Sequence, residues 1–474
     1  MLRTLFKSLK TPEAADAVQS PSPPPAAAGH AGNSDPFTLQ SRITTKITQA
    51  ASDTLQTALM QGTQAALAAG MRARLADAPQ DLEALITLGG LLMHEDPVAA
   101  AGLYARAVAL QPVAAELLYL LSQSLQRQLR IDEAIAAMQL VVAAEPGIAG
   151  YRFALSMQLF LAGRYREGFL HFRARNDAQH LRHKHPWLDA LPAWGGEPLT
   201  GRRILIWTDW GGLGDEIVFA RYIAEVHRRY RPAALYVSCT TSMRRLMASI
   251  EGVTEAFDAG GVYPVDCHAA LLDLPCIFGT DLDSIPTPVP YLHPDAADVA
   301  RWKEHLPPSP GLKIGLCWSS GFWGGGTQVV NTRLNKSVPL QHLAPLCNID
   351  GVTLVSLQKG GGLTELTALG LPLLDFDADL NDMADTAALA ANLDLIIAVD
   401  TSVGHLAGAL NRPTLLLLPY SSGSFYLLDT DRTPWYPGMR TLRQPRPGDW
   451  ETPAARAVAL VRGFAARGAV DVFA

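Results

Sequence analysis

A short segment near the C-terminus contains the residue types that a diphosphate site needs. The apolar run LIIAV is followed directly by Asp400, Thr401, Ser402, Val403, Gly404 and His405. This order predicts a strand that ends at Asp400 and a helix that begins just after it. The first amides of a helix carry roughly half a positive charge, so this turn is suited to an anionic diphosphate. For His405 the alternative is a histidine that caps the helix or is satisfied in the core.

A second turn combines glycines with an acid. The run ILIWT leads to Gly212 and Gly214, and Asp215 stands at the start of a helical pattern. Glycines let the backbone turn tightly and approach a ligand, and ligands bind beyond the carboxyl ends of parallel strands. Asp215 is therefore a candidate ligand-binding residue. Its alternative role is to cap the helix that it begins.

Two further segments supply cations after apolar runs. The loop at residues 318–340 is rich in glycine and contains Arg333 and Lys336, which suits a mobile loop that folds over phosphates. The alternative is a solvated loop with incidental charges. The segment VSLQKGGG ends a strand at Gln358 and Lys359, which would face a nucleotide unless this is an ordinary strand-to-helix turn.

The elements that position these residues can be predicted from the apolar runs between residues 201 and 420. RRILIWT, ALYVSC, LKIGLCW, VTLVSLQ, DLIIAVD and PTLLLLP are short and apolar on both faces, which is typical of parallel strands covered by helices. Two such series indicate two Rossmann-like halves that meet near residues 294–310. Because all four motifs follow strand ends, we expect them to face one cleft.

A repeat precedes this region. Pro79, Pro112 and Pro146 recur at intervals of 33 and 34 residues, each after a similar phrase. A period near 34 with small and large residues at fixed offsets resembles tetratricopeptide repeats, and about three units fit between Asp81 and Arg175. Such repeats present a concave surface to a peptide or protein. The sequence leaves open whether they recruit a partner or only scaffold the rest of the chain.

Composition and charge exclude several classes of function. The formal net charge of −6 argues against a nucleic-acid partner, and no apolar run approaches the roughly 20 residues of a membrane span. The N-terminal MLRTLFKSLK predicts a frayed tail, with peripheral membrane contact as the alternative. Five cysteines without CxxC spacing argue against a disulfide framework or a zinc site and predict a cytoplasmic location.

Several motifs together resemble one bacterial family. They are GLGDEIVFARY, RLNKSVPLQHLAPL, VSLQKG and DTAALAANLDLIIAVDTSVGHLAGAL. The family combines tetratricopeptide repeats with a C-terminal domain similar to glycosyltransferase family 9, the ADP-heptose:lipopolysaccharide heptosyltransferases. The resemblance covers about residues 80–450 and implies a GT-B fold, in which the second Rossmann-like domain binds most of the donor nucleotide. It also implies an inverting, metal-independent sugar transfer.

The resemblance also implies roles for individual residues. Asp215 matches the acid proposed as catalytic base, Lys336 resembles the lysine that contacts donor phosphates, and Asp400 matches the acid that binds the donor sugar. Residues 401–405 match the diphosphate-binding turn. The chain departs from the pattern in its loop SSGFWGGGTQVVNTRLNKSVPL, which has a Gly-Gly-Gly insertion and no histidine, and in TDWGGLGD, which stands where AEQGLGD is usual.

We therefore predict an all-α, tetratricopeptide-like N-terminal region followed by an α/β GT-B fold. The predicted domains are a disordered tail or linker at 1–40, repeats at 41–185, an acceptor domain at 186–305 and a donor domain at 306–474. The predicted function is transfer of a sugar from a nucleotide-diphosphate sugar to a protein or glycan hydroxyl, with no metal or cofactor. The alternatives are a repeat-type scaffold with an inactive GT-B domain, or another nucleotide-sugar enzyme such as an epimerase or hydrolase. A protein or peptide is the predicted partner of the repeats.

Overall fold

The protein is described here from a computed structural model, which falls into two compact units. The structure describes residues 36–177, 190–208, 212–258, 264–321, 336–423 and 425–473. The first unit ends at Ala162 and the second begins at Gly163. The prediction for the tail lies mostly outside the described residues, although a helix already begins at Pro36.

The first unit, in the part that the structure describes, consists of helices. They are α1 (Pro36–Gln61), α2 (Gln64–Asp77), α3 (Leu82–Leu92), α4 (Pro97–Leu110), α5 (Ala115–Arg127), α6 (Ile131–Ala144) and α7 (Ala149–Leu161). Aspartate side chains cap the N-termini of two of these helices. The Asp81 carboxylate accepts a hydrogen bond from the Ala84 amide at the start of α3, and Asp96 caps α4 in the same way. Such caps satisfy amides that have no partner within the helix.

Helices that follow each other pack with close backbone approach, as the repeat pattern predicts. Gly89 on α3 faces the buried ring of Tyr104 on α4. Further along, the rings of Tyr119 and Tyr151 lie 5.4 Å apart. The predicted all-α repeat region is thereby confirmed.

The second unit opens with α8 (Tyr165–Phe172) and a 3-10 segment, Arg173–Asp177, and continues as two sheets with helices. The elements around the first sheet are β1 (Arg203–Trp207), α9 (Leu213–Tyr230), β2 (Ala234–Cys239), α10 (Arg244–Ala248), β3 (Glu255–Asp258), β4 (Cys267–Ala270), α11 (Leu274–Ile277) and α12 (Ala296–His305). Those around the second sheet are β5 (Leu312–Cys317), β6 (Val352–Ser356), α13 (Leu363–Leu369), β7 (Leu374–Asp375), α14 (Met383–Ala391), β8 (Leu395–Val399), α15 (Ser402–Ala409), β9 (Thr414–Leu418), β10 (Arg432–Thr433), β11 (Tyr436–Arg443) and α16 (Glu451–Arg467).

Both sheets are built mainly from parallel strands. The first has the order β3-β2-β1-β4, and the second has the order β10-β11-β9-β8-β5-β6-β7. Only the β10–β11 pair among these is antiparallel. Strands β8 and β9 are buried along their whole length, which explains their uninterrupted apolar sequence. The predicted α/β class with two Rossmann-like halves is confirmed.

Two strands and one boundary differ from what the sequence pattern indicates. Strand β3 has four residues, and β11 contains a proline and a glycine near its start, so neither stands out as an apolar run. Helix α8 falls in the second unit, whereas the repeats were predicted to extend to residue 185. The other predicted domain boundaries stay predictions.

No helix in the described ranges combines the length and apolarity that a membrane crossing needs.

Adding a methyl group at Gly89 should destabilise the repeats. A Cβ there would lie 2.7 Å from a ring carbon of Tyr104, and this buried ring has little room to move. We expect Gly89→Ala to lower the free energy of unfolding by about 1–3 kcal/mol, measured by urea denaturation with far-UV circular dichroism.

Gly102 on α4 is the matched control. A Cβ at Gly102 would meet no atom of the described residues within 4 Å. Gly102→Ala should therefore raise the free energy of unfolding by about 0.5–1 kcal/mol through helix propensity. If both variants changed stability equally, close packing at Gly89 would not be the cause.

Candidate active site

The buried carboxylate of Asp400 lies at the end of β8 and is held by two donors. Its Oδ2 accepts a hydrogen bond of 2.6 Å from Lys336 Nζ, and its Oδ1 accepts one of 3.2 Å from the Tyr426 hydroxyl. The residue is 8% exposed. Burial alone would raise the pKa of this carboxyl, but the Lys336 ammonium and the Tyr426 hydroxyl hold that pKa below its ordinary value. Asp400 is therefore ionised near neutral pH.

His405 is buried beside this carboxylate. Its Nδ1 lies 3.1 Å from the Tyr436 hydroxyl, and its Nε2 lies 3.7 Å from Asp400 Oδ1. Burial lowers the pKa of the imidazole to about 4, with Asp400 opposing the shift. His405 is thus neutral near pH 7, and it can orient its neighbours but adds no positive charge.

The amides at the start of α15 follow Asp400 directly. Thr401 is the N-cap residue, but its side chain does not cap the helix. Its hydroxyl donates to the Val399 carbonyl instead, over 3.1 Å. The first-turn amides of Ser402 and Val403 are therefore not satisfied by this side chain, and free amides at a helix start are the kind of group that can bind an anion.

Asp215 reaches the same place from the first sheet. Its Oδ2 accepts a hydrogen bond of 2.8 Å from the Gly212 amide at the start of α9. This bond is the acid half of a capping box, and the other half is missing because Gly212 has no side chain. Burial raises the pKa of the Asp215 carboxyl, and the negative charge of Asp400 raises it further. The hydrogen bond from the Gly212 amide and the positive charges of Lys336 and Arg175 oppose this rise. Helix capping and a place among charged groups thus coexist at this residue.

A glycine permits the close approach of the two halves. A Cβ at Gly214 would lie 2.9 Å from Cδ2 of His405. The first turn of α9 therefore packs directly on α15, with no side chain of its own between them. The structure thus brings Gly214, Lys336, Asp400 and His405 together, with Asp215 next to Gly214 in the same turn.

The buried guanidinium of Arg221 lies next to this group of residues, and the sequence pattern does not predict its role. Arg221 on α9 is 2% exposed and donates to the Trp435 carbonyl over 2.9 Å and to the Pro286 carbonyl over 3.0 Å. Its Cζ lies 5.1 Å from the ring centroid of Tyr436. Arg221 thereby fixes the tyrosine that holds His405.

Tyr426 and Tyr436, which contact Asp400 and His405, were also not predicted from the sequence. Tyr426 and Tyr436 lie after β9 and at the start of β11, in segments whose sequence has no helix or strand periodicity. The available signal was their position beyond the apolar run TLLLL, since such strand ends line ligand sites.

Gln358 and Lys359 are placed differently from the other predicted residues. The Gln358 side chain is buried and pairs with the backbone of Ser319, accepting from its amide at 2.9 Å and donating to its carbonyl at 3.1 Å. Lys359 Nζ lies 3.3 Å from Asp377 Oδ1, on the exposed surface. Gln358 therefore links the ends of β5 and β6. Lys359 forms its ion pair with Asp377 and not with Asp400. Arg333 lies outside the described residues.

The arrangement brings together three kinds of group that an anionic, two-substrate reaction requires. Lys336 and the start of α15 offer positive charge, Asp400 offers acceptors to hydroxyl groups, and Asp215 offers a base with a raised pKa. A site with these features can bind a diphosphate ester and remove a proton from a second molecule.

Acidification should destabilise the second unit through His405. The imidazole pKa falls from 6.5 to about 4 on burial, so its contribution to stability is complete above pH 6.5 and is lost as the pH falls toward 4. We expect wild type to lose roughly 2–3 kcal/mol more than His405→Asn between pH 7 and 4.5, measured by urea unfolding with tryptophan fluorescence. The exposed His293 is the control, and an equal effect of His293→Asn would refute this explanation.

Comparison with known proteins adds a family match. The model of "Glycosyltransferase family 9 (heptosyltransferase)" matches residues 380–428, which contain β8 and the turn at Asp400. The protein FlbA of Caulobacter vibrioides is 30% identical over 356 residues, which are 67% of this chain and 56% of FlbA. The chain thus spans about half the length of this curated relative.

Solved structures resemble parts of the chain. The Escherichia coli ADP-heptose lps heptosyltransferase II is 16% identical and covers 56% of this chain and 99% of its own, with a TM-score of 0.41. The glycosyl transferase family 9 of Veillonella parvula DSM 2008 is 11% identical and covers 59% of this chain and 93% of its own, with a TM-score of 0.39. MamA is 20% identical and covers 32% of this chain and 99% of its own, with a TM-score of 0.25.

Residues 380–428 of this chain, which contain the turn at Asp400, therefore match the model of glycosyltransferase family 9.

Proposed function

We propose that the second unit transfers a sugar from a nucleoside-diphosphate donor to an acceptor hydroxyl, with inversion and without a metal ion. One observation carries the proposal. Asp215 follows Gly214, which packs directly against His405 of the second sheet's helix α15, and His405 lies beside the hydrogen-bonded Lys336–Asp400 pair. A base, a cation and a helix start are thus grouped in one cleft, as transfer from an anionic donor requires.

The donor diphosphate would bind at the start of α15 beside Lys336. An ammonium group has three N–H donors, and the bond to Asp400 uses one of them. The Lys336 side chain is 31% exposed, so its remaining donors can reach a ligand in the cleft. Together with the first-turn amides of Ser402 and Val403, they would stabilise the diphosphate as negative charge develops on it.

The donor sugar would lie against Asp400. A carboxylate can accept about four hydrogen bonds, and two of these are taken by Lys336 and Tyr426. The remaining acceptor capacity suits sugar hydroxyls. His405, neutral and hydrogen-bonded to Tyr436, packs beside the carboxylate.

The chemical step is a single displacement. Asp215 takes the proton of the acceptor hydroxyl while the acceptor oxygen forms a bond to the anomeric carbon. The bond from that carbon to the diphosphate oxygen breaks, and the electron pair leaves with the diphosphate. Attack from the face opposite the leaving group inverts the configuration. The raised pKa of Asp215 brings its proton affinity closer to neutral pH, which favours a general base.

Removing the charge of Asp215 should abolish transfer without impairing donor binding. In Asp215→Asn the side-chain oxygen can still accept from the Gly212 amide, so this half of the capping box is kept. We expect the transfer rate to fall about 10²- to 10⁴-fold, with nearly unchanged donor affinity. The donor is first identified by a mass-spectrometric screen of nucleotide-sugar hydrolysis.

Asp283→Asn is the control, because Asp283 is an exposed acid of the same unit. It should leave the rate unchanged. Wild-type transfer by Asp215→Asn would show that the base is another group.

Removing the ammonium of Lys336 should weaken diphosphate binding. We expect Lys336→Met to lower the affinity for a nucleoside diphosphate about 10- to 100-fold, as is typical when a hydrogen bond to a charged group is lost. Isothermal titration with ADP, GDP and UDP measures it. Lys303→Met, on the exposed face of α12, is the control.

The single substitution also leaves the Asp400 carboxylate buried without its cation, which is destabilising. Lys336→Met/Asp400→Asn removes both charges and should regain folding stability but not affinity. If wild type bound none of the three nucleotides, the inactive scaffold would be the better interpretation.

A further inference from the structure

Arg443 lies at the carboxyl edge of the second sheet, where the loop after β9 begins. It is the last residue of β11 and pairs in register with Leu418, the last residue of β9. On the next strand, Val399 at the end of β8 pairs with Leu417, and Asp400 follows Val399 directly. Since parallel strands end at a common edge, Arg443, the start of this loop and the Asp400 carboxylate lie at the same edge of the sheet.

The guanidinium of Arg443 holds both ends of this loop. Its Nη1 bonds residues just after β9, and its Nη2 bonds residues at the far end. The acceptors are the hydroxyl of Ser422 and, over 3.2–3.4 Å, the carbonyl oxygens of Pro419, Tyr420, Tyr426 and Leu427. We call the described residues 419–423 and 425–427 the tyrosine loop.

The tyrosine loop lies against both oxygens of the Asp400 carboxylate. The Tyr426 hydroxyl donates to Oδ1 over 3.2 Å, and the Tyr426 ring is stacked on that of His405 with centroids 6.2 Å apart. On the other side, a Cβ added at Gly423 would lie 3.2 Å from Oδ2. Because glycine has no side chain, the backbone passes close to this oxygen and leaves the space beside it free for a ligand hydroxyl.

The contribution of Arg443 to the tyrosine loop is geometric. All five acceptors that it bonds in this loop are uncharged, so the guanidinium neutralises no carboxylate there. A guanidinium directs its N–H groups outward from a rigid planar fork, whereas a lysine ammonium is a point charge on a flexible stem. The fork can therefore hold two separate stretches of backbone at a fixed distance, and lysine cannot.

We propose that Arg443 is a positioning residue for the donor sugar, because it fixes the tyrosine loop as one wall of the pocket in which the sugar binds Asp400. That this wall faces a sugar rests on the proposed function, whereas the fixing of Tyr426 on Asp400 can be measured without any substrate. Arg443 thus acts on the sugar half of the donor, and Lys336 acts on the diphosphate half.

Fluorine nuclear magnetic resonance of the full chain, labelled with 3-fluorotyrosine, reports the position of Tyr426. The signal that Tyr426→Phe removes identifies the residue. We expect both Arg443→Met and Arg443→Lys to move this signal by more than its linewidth, since charge alone cannot hold both ends of the loop. Arg443→Lys keeps the charge and much of the volume, so it decides the question if Arg443→Met does not fold. An unmoved signal in either folded variant would overturn the proposal.

Arg440→Met is the matched control. Arg440 lies three residues earlier on β11 and donates to Asp431 Oδ2 over 2.8 Å and to the Val472 carbonyl over 3.0 Å, rather than to the tyrosine loop. Its loss should leave the Tyr426 signal unmoved. An equal shift in Arg440→Met would show that the loss of any arginine from this strand disturbs the loop, and the proposal would be wrong.

The affinities for the two halves of the donor test the sugar assignment. For the donor found in the hydrolysis screen, we expect Arg443→Lys to raise the donor KM about 10-fold with little change in kcat. The affinity for the matching nucleoside diphosphate should stay at the wild-type value. A general structural defect would weaken both ligands, so an unchanged donor KM or an equal loss of both affinities would refute the assignment.

Gly423→Ala tests the same wall without altering Arg443. The added methyl group would lie 3.2 Å from Asp400 Oδ2, in the space that we assign to a sugar hydroxyl. We expect a higher donor KM and an unchanged affinity for the nucleoside diphosphate. Gly438→Ala on β11 is the control, since its Cβ would meet its nearest neighbour, Asn411 Oδ1, only at 3.4 Å. A wild-type donor KM in Gly423→Ala would contradict this position of the sugar.

The two readouts separate this proposal from the proposed function. If no nucleotide sugar were hydrolysed or transferred, the proposed function would fail, yet the fluorine signal would still decide whether Arg443 positions Tyr426. If sugar were transferred while the signal and the donor KM stayed at wild type in Arg443→Lys, the proposed function would stand and the role of Arg443 would be refuted.

Discussion

The candidate site depends on keeping one carboxylate charged inside the protein. Asp400 ends a strand whose neighbours on both sides are buried, so its charge must be balanced by groups brought to it. Lys336 arrives from a loop after β5, and Tyr426 from a loop after β9. His405 adds a neutral ring that is itself fixed by Tyr436. A buried charge is tolerated only when paired and hydrogen-bonded, so these separate segments must be positioned together.

At Asp215 a structural role at the helix start coincides with the chemical role that we propose for it. The hydrogen bond from the Gly212 amide fixes the carboxylate, and that bond also determines where the second oxygen lies. Sequence patterns could not decide between capping and ligand binding, because both need an acid at a helix start. The structure contains the hydrogen bond from the Gly212 amide, and it also packs the same turn against His405.

The sequence allowed the fold class and the central turn to be predicted for a clear physical reason. Strands buried on both faces must be apolar throughout, which made β1, β5, β6, β8 and β9 visible as runs. Their carboxyl ends then located Asp215 and Asp400. Tyr436 and Arg221 were missed because their importance comes from contacts across about 200 residues of chain, such as that between Arg221 and Trp435. Lys359 follows β6, which the sequence pattern does predict, but its ion pair with Asp377 could not be predicted because side-chain pairing leaves no periodic pattern in the sequence.

The guanidinium of Arg221 has a consequence for how the two halves of the second unit can move. It joins a helix of the first half to the backbone of Trp435, which precedes β11 of the second half, and is surrounded by aromatic rings. Pulling the halves apart would strip a buried cation of its carbonyl partners, which costs several kcal/mol. The two halves of the second unit are therefore joined at this point by a buried, hydrogen-bonded cation, and we expect them to move together there rather than to separate.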